Sequence, residues 1–203
     1  PAGRIGPAAG GRVADACAGP GGKTLQLAAA GADVTAIDVS PERLARVAEN
    51  LSRTGLSAAT VAADALAHAP DAPFDAVLVD APCTSTGTIR RHPDVPWLKA
   101  ERDPKNLSDL QAALVARAAE WLKPGGRLVV CTCSLEPEEG EDLARRIAAD
   151  VPALAADPVG PGEVPGAAPF LTAEGALRTL PGGPMLPEAQ GGRFDLDGLF
   201  AAR

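Results

Sequence analysis

Two short runs, Asp80-Ala81-Pro82-Cys83 and Thr132-Cys133-Ser134, place two cysteines fifty residues apart. Each run follows an apolar segment, FDAVLVD (74–80) and RLVVCT (127–132), of the kind that forms a buried strand. Both thiols are therefore expected at one edge of a sheet. Such a pair suits covalent chemistry on a pyrimidine. C5 of cytosine is a poor nucleophile, but a thiolate added to C6 turns the ring into an enamine. C5 can then take a methyl group from a sulfonium donor. Afterwards the C5 proton must leave and the thiol must be expelled, and a second thiolate could be the base. Asp80, three residues before Cys83, is the candidate acid for N3 and the amino group of the ring. Which sulfur attacks is left open by the residues alone, because either would need a depressed pKa and access.

The second cluster is a glycine turn, Cys17-Ala18-Gly19-Pro20-Gly21-Gly22-Lys23, between an expected strand (12–16) and an expected helix (24–30). Glycines there let a ligand approach the backbone, and a helix start offers free N–H groups. One reading is a phosphate cradle for a nucleoside triphosphate, with Lys23 and Thr24 as its signature. The required spacing puts its first glycine at position 17, which is Cys17, so the match fails at that position. The other reading is a site for S-adenosylmethionine. Asp38 ends the second strand 21 residues after Cys17, where a ribose-binding carboxylate is expected. Asp64, after the third strand, is placed to meet the adenine amino group. A tight turn with two helix-capping aspartates is the plainer alternative. Four strands that each end in a polar residue (Cys17, Asp38, Asp64, Asp80) argue against it, since ligands bind beyond the carboxyl ends of such strands.

These residues need a scaffold of alternating strands and helices. Expected strands cover 12–16, 33–38, 59–63, 74–80 and 127–132, with helices over 24–30, 40–55, 107–122 and 138–149. Ser40 and Pro41 mark a helix start and Gly55 its end. The alternation implies an α/β fold, a mostly parallel sheet flanked by helices. The loop from Ala81 to about Lys105 carries Arg90, Arg91, His92, Lys99 and Arg102, and loops of such length are usually functional. Arg90 and Arg91 are candidates for backbone contact with RNA, and His68 is expected to be solvated. Residues 151–193 are rich in Pro and Gly and read as an irregular insertion before a final edge strand at 199–202.

The chain has 203 residues, 46% of them hydrophobic, enough for one domain with a sizeable core. The formal charge of −7 argues against a general phosphate binder, and 3% aromatics with no tyrosine argue against a broad stacking platform. Four cysteines at strand ends or in mid-strand, with no C-x-x-C pair, read as free thiols of a reducing cytoplasm, with no metal site. Cys131 reads as core and Cys17 as part of the turn. The chain opens at Pro1, which reads as a fragment whose N-terminal part is absent.

DACAGPGGKT, AIDVSPERL, VAAD, DAPCTSTGTIRRHPDVPW and CTCSLEPEEGE together resemble the successive signatures of the RNA cytosine-5 methyltransferases, and most of all the bacterial group acting on 16S ribosomal RNA. The resemblance is continuous over about residues 12–145. It implies a Rossmann-like class I methyltransferase fold over 1–203, with S-adenosylmethionine as donor and RNA as partner. It also implies that Cys133 of the TCS motif is the nucleophile and that Cys83 of DAPC assists release. Cofactor contacts carry over to Cys17, Ala18, Gly19, Pro20, Gly21, Gly22, Lys23, Asp38, Asp64 and Asp80. The family's N-terminal helical RNA-binding domain has no counterpart here. A monomeric, cytoplasmic enzyme is expected. A transfer RNA substrate, a nucleotide hydrolase and a non-catalytic RNA-binding module are the alternatives.

Overall fold

The computed structural model describes residues 10–98, 104–164, 166–181 and 197–203. It divides into two compact units, Pro1–Ala81 with Ala113–Val130, and Pro82–Ala112 with Cys131–Arg203.

The first unit alternates strand and helix as expected: β1 (Arg12–Ala16), α1 (Gly22–Ala29), β2 (Asp33–Asp38), α2 (Pro41–Thr54), β3 (Ala59–Ala62) and β4 (Phe74–Asp80). It also holds most of β5 (Leu122–Thr132). The strand order is β3-β2-β1-β4-β5. β1 pairs in parallel with both β2 and β4, and β2 with β3. The register aligns Ala16 with Ile37 and Val79, and Asp38 with Ala62, so the carboxyl ends of four strands share one edge. Val13, Ala14, Val77, Leu78 and Val79 are fully buried. Such strands, covered on both faces, need the continuous apolar runs seen in the sequence.

α2 shows how local signals and packing agree. Ser40 Oγ accepts the Arg43 N–H at 3.2 Å, Pro41 sits at the first turn, and Gly55 closes the helix in left-handed backbone. Leu44, Val47 and Leu51 pack on Ala18 and Ala36. Each such buried leucine or valine contributes roughly 1.5–3 kcal/mol. α1 begins at Gly22, two residues earlier than expected, which puts Lys23 in its first turn.

The 81–103 loop contains a 3-10 turn at Thr86–Thr88 and a short helix, α3 (Val95–Leu98). α4 (Pro104–Ala119) is shifted from the expected 107–122. Its buried stripe runs through Ser108, Gln111, Val115 and Ala118 at helical spacing. The run Lys123-Pro124-Gly125-Gly126 follows the end of that helix. It lies within β5, where Gly125 takes a φ of 77° that lets the strand bend.

In the second unit the order continues β5-β7-β6, with β6 (Leu177–Thr179) antiparallel to β7 (Leu199–Ala202). The final strand is thus internal, and β6 is the edge. The expected 138–149 helix is split at Gly140 into a 3-10 turn, Pro137–Glu139, and α5 (Glu141–Asp150). The described residues of 151–181 are less irregular than composition implies: they supply β6 and a 3-10 turn at Ala168–Phe170, and Val159, Ala167, Phe170 and Ala176 are buried. Lys99, Arg102 and residues 182–193 lie outside the described residues. No helix among the described residues is long and apolar enough to cross a membrane.

Candidate active site

The glycine turn belongs to the first unit. The chain leaves β1 through Cys17 in left-handed backbone (φ 63°), passes a cis Gly19–Pro20 peptide, and enters α1 through Gly21 at φ 105°. Ala18 N–H bonds the Ile37 carbonyl at 3.0 Å and Gly21 N–H the Ala18 carbonyl at 2.8 Å. A side chain at Gly19 would run into the Arg43 side chain and stand 3.0 Å from Asp38 Oδ2. At Gly22 a Cβ would meet nothing within 4 Å, so the helix start opens onto free space. Backbone N–H groups at a helix start favour an oxygen-bearing ligand.

Asp38 is 2% exposed and holds the turn in shape. Its Oδ2 accepts the Gly19 N–H at 2.9 Å, its Oδ1 the Ser40 N–H at 3.0 Å, and Arg43 stands 3.5 Å away. Arg43 also donates to the Gly19 carbonyl. Lys23 Nζ reaches Asp80 Oδ2 at 2.6 Å, which ties the start of α1 to the end of β4. Asp64 is exposed, and among the described residues its hydrogen bonds stay local: Oδ1 accepts the Leu66 N–H at 2.9 Å, and its carbonyl accepts from Ala67 and His68. Burial, with the charges of Asp38 and Asp80, pushes the Cys17 thiol up to about 12. An inert thiol suits the turn role and excludes nucleophilic work by Cys17 near neutrality.

The two motif cysteines lie in the second unit. Cys83 Sγ and Cys133 Sγ are 3.4 Å apart, within hydrogen-bonding distance of each other. Cys83 is 4% exposed and Cys133 is half-buried. The hydrogen bond to Cys133, and then burial, push the Cys83 thiol well above the ordinary thiol range. Cys83 therefore keeps its proton at rest, and either sulfur can be the donor in the contact between them.

Several bonds set this distance. Gly87 N–H donates to the Cys133 carbonyl at 3.0 Å, and Leu135 N–H to Thr86 Oγ1 at 2.9 Å. The Thr84 and Ser134 hydroxyls are 3.0 Å apart. Ser85, two residues past Cys83, is left-handed (φ 62°); with Cys17 it makes the pair of non-glycine residues in that conformation among the described residues. Each motif thus carries one strained residue, at a cost of about 1–3 kcal/mol.

Sequence reasoning missed five residues that shape these clusters. Asp15 is fully buried on β1. One oxygen accepts Thr24 Oγ1 at 2.5 Å and the other has no hydrogen-bond partner. Burial, helped by the charge of Asp80 and opposed by that of Lys23, raises its pKa to about 7. An acid between valine and alanines in a core strand was the available signal. Thr84, Gln111, Ser134 and Glu139 form a buried network beside Cys83. Gln111 could have been found from its place on the apolar stripe of α4; Glu139 could not, because an acidic run reads as a solvated helix start. His68, expected in solvent, is half-buried and packs edge-on to Trp121 at 5.5 Å. Arg90 and Arg91 both face Asp197, so the basic loop meets a carboxylate of its own chain. Cys131 is fully buried, as a core residue should be.

Residues 4–182 match the family described as 16S rRNA methyltransferase RsmB/F. The chain belongs to the RsmB/F methyltransferase family. Ribosomal RNA small subunit methyltransferase B of Salmonella paratyphi B is 41% identical to this RsmB/F chain over 167 residues, which is 80% of this chain and 39% of that relative. The chain therefore spans well under half of that protein. The crystal structure of PH0851 superposes with a TM-score of 0.79 at 33% identity, covering 99% of this chain and 44% of that one. NSun6 from Pyrococcus horikoshii with SFG gives 0.73 at 26% identity, covering 99% and 49%. The fold is that of class I S-adenosylmethionine-dependent methyltransferases, as the motifs imply. The glycine turn fits that cofactor: the helix start is open at Gly22, position 19 tolerates no side chain, and the buried Asp38 carboxylate is already oriented.

Proposed function

We propose that this chain is the catalytic domain of an enzyme that methylates C5 of a cytosine in RNA, with 16S ribosomal RNA as substrate and Cys133 as the covalent nucleophile. The observation that carries the reading is the 3.4 Å approach of Cys83 and Cys133. Family membership supplies the RNA class.

Residues Cys17 to Lys23, with Asp38, Asp64 and Asp80, would hold S-adenosylmethionine, which supplies an electrophilic methyl group when bound. The target base must be unstacked before a side chain can reach C6. Cys133 thiolate adds to C6, forming the S–C6 bond and pushing the ring electrons toward C5. Asp80 accepts from the cytosine amino group and steadies the ring. Once the Cys133 sulfur is bonded to C6, its hydrogen bond no longer raises the Cys83 pKa as before, and Cys83 loses its proton to solvent. With C5 carrying both the methyl group and its proton, Cys83 thiolate takes that proton. The C5–H electron pair re-forms the C5–C6 double bond, and the Cys133–C6 bond breaks to return Cys133 as a thiolate. The proposed setting is the cytoplasm, where both thiols stay reduced.

The test uses two variants on unmodified small-subunit ribosomal RNA. Cys133→Ala should abolish methyl transfer and leave S-adenosylhomocysteine binding unchanged. Cys83→Ala should accumulate an RNA–protein adduct that survives denaturing electrophoresis. Full activity of Cys133→Ala would refute the reading. Calorimetry that detected ATP binding but none of S-adenosylhomocysteine would favour a nucleotide hydrolase.

A further inference from the structure

Glu139 is fully buried, yet it is an acid in the run Glu136-Pro137-Glu138-Glu139 that otherwise reads as solvated. Its carboxylate accepts the Thr84 N–H at 3.0 and 3.2 Å, Thr84 Oγ1 at 2.5 Å and Gln111 Nε2 at 2.9 Å. The same Gln111 nitrogen donates to the Pro82 carbonyl at 2.8 Å. Residues on both sides of Cys83 are thus fixed to one carboxylate, Thr84 directly and Pro82 through Gln111. Glu139 is itself anchored, because Thr132 Oγ1 donates to its carbonyl at 2.9 Å. That bond runs to the residue before Cys133. Glu139 therefore connects the surroundings of both sulfurs, by its carboxylate on the Cys83 side and its backbone carbonyl on the Cys133 side.

A carboxylate fits here for a specific reason. The Thr84 amide and Gln111 Nε2 can only donate, and the Thr84 hydroxyl donates as well. An ionised acid offers only acceptors, and bonds to a charged acceptor are about twice as strong as neutral ones. An amide would turn an NH₂ toward one of these donors. An apolar residue would leave the buried Thr84 N–H unpaired, at a cost of about 1–3 kcal/mol.

We infer that Glu139 is the positioning residue of Cys83, holding its sulfur where it can take the C5 proton and release the product. The inference rests on the release role proposed for Cys83. It assigns Glu139 no contact with the base.

The experiment follows turnover, first-turnover methyl transfer and adduct together in Glu139→Gln, with Cys83→Ala as reference. Glu139→Gln should lower steady-state kcat about tenfold or more, as small misplacements of reacting groups do. Its KM for RNA and its first-turnover methyl transfer should stay close to wild type. The adduct trapped by Cys83→Ala should appear in Glu139→Gln as well. A purely structural role would lower the melting temperature and reduce both phases equally, with no adduct, and that result overturns the inference. Adduct in Cys83→Ala with none in Glu139→Gln overturns the inference alone. No adduct in either overturns the release role and the inference with it. Should Glu139→Gln fail to fold, Gln111→Leu decides by the same readout, since it removes the link from Glu139 to the Pro82 carbonyl and leaves the Thr84 bonds in place.

Discussion

Gly87 donates its backbone N–H to the carbonyl of Cys133 at 3.0 Å, which binds the loop carrying one thiol directly to the residue carrying the other. The loop is held a second time at the same glycine, whose carbonyl accepts the Gly198 N–H at 2.8 Å. A Cβ at position 87 would collide with the Gly198 carbonyl oxygen and stand 2.7 Å from its carbon. Both obstacles are backbone and cannot swing aside. Gly87→Ala should destabilise the protein by about 1–3 kcal/mol, the usual cost of overfilling a packed site. It should also slow methyl transfer more than Gly162→Ala, whose position is open and free of left-handed backbone. Thermal melts beside single-turnover assays check this; equal activity in the two variants would count against the loop's role in setting the sulfur distance.

Gly19→Ala is expected to damage the cofactor cradle. The new methyl would meet the Arg43 side chain near its base and crowd Asp38 Oδ2 at 3.0 Å. Asp38 would then lose its bond to the Gly19 N–H. Calorimetry with S-adenosylhomocysteine should show affinity lower by about tenfold, roughly 1.4 kcal/mol. Wild-type affinity would separate the turn from cofactor binding.

Asp15 sets a stability trend with pH. Its folded pKa, about 7, lies above the ordinary 3.8 because burial penalises the charged form. The folded chain therefore holds a proton there that the unfolded chain gives up. Stability from this group is fully present below pH 3.8 and falls as pH rises toward about 7. Asp15→Asn should flatten that slope and raise the melting temperature at pH 8 relative to wild type, with the difference shrinking at pH 5. Parallel melting curves for the two proteins across pH 5–8 would show that Asp15 is not the cause.

The thiol pair should be sensitive to peroxide. A disulfide needs the sulfurs at about 2.05 Å, so a small closure of the 3.4 Å gap suffices. Two thiols and one hydrogen peroxide would give one disulfide and two waters. Peptide mapping should find Cys83 linked to Cys133, with activity lost and then restored by dithiothreitol. Inactivation that dithiothreitol cannot reverse would instead point to further oxidation of one sulfur.

The buried strands β1, β2 and β4 and their polar ends were legible because buried parallel strands are written as largely apolar runs, as in FDAVLVD over 74–80. Asp38 and Cys83 could be located for the same reason: each follows such a run. What Asp38 grips could not be read, since its partners come from residues 19, 40 and 43, joined only by folding. Glu139 was hidden more deeply. Its burial depends on Gly140 breaking the expected helix one residue later, and no local signal in an acidic run announces that. The position of β7 was misread because strand order is a property of the sheet and not of the strand.

At Gly140 the vacant side-chain position is filled by the guanidinium of Arg178, which grips both oxygens of Glu141, bonds the Ser134 carbonyl at 2.6 Å and covers the Phe200 ring. Two residues 38 apart thus share one space. A descendant that gains bulk at the first must give up the arginine at the second, so these sites should drift as a linked pair, each change permissive for the other.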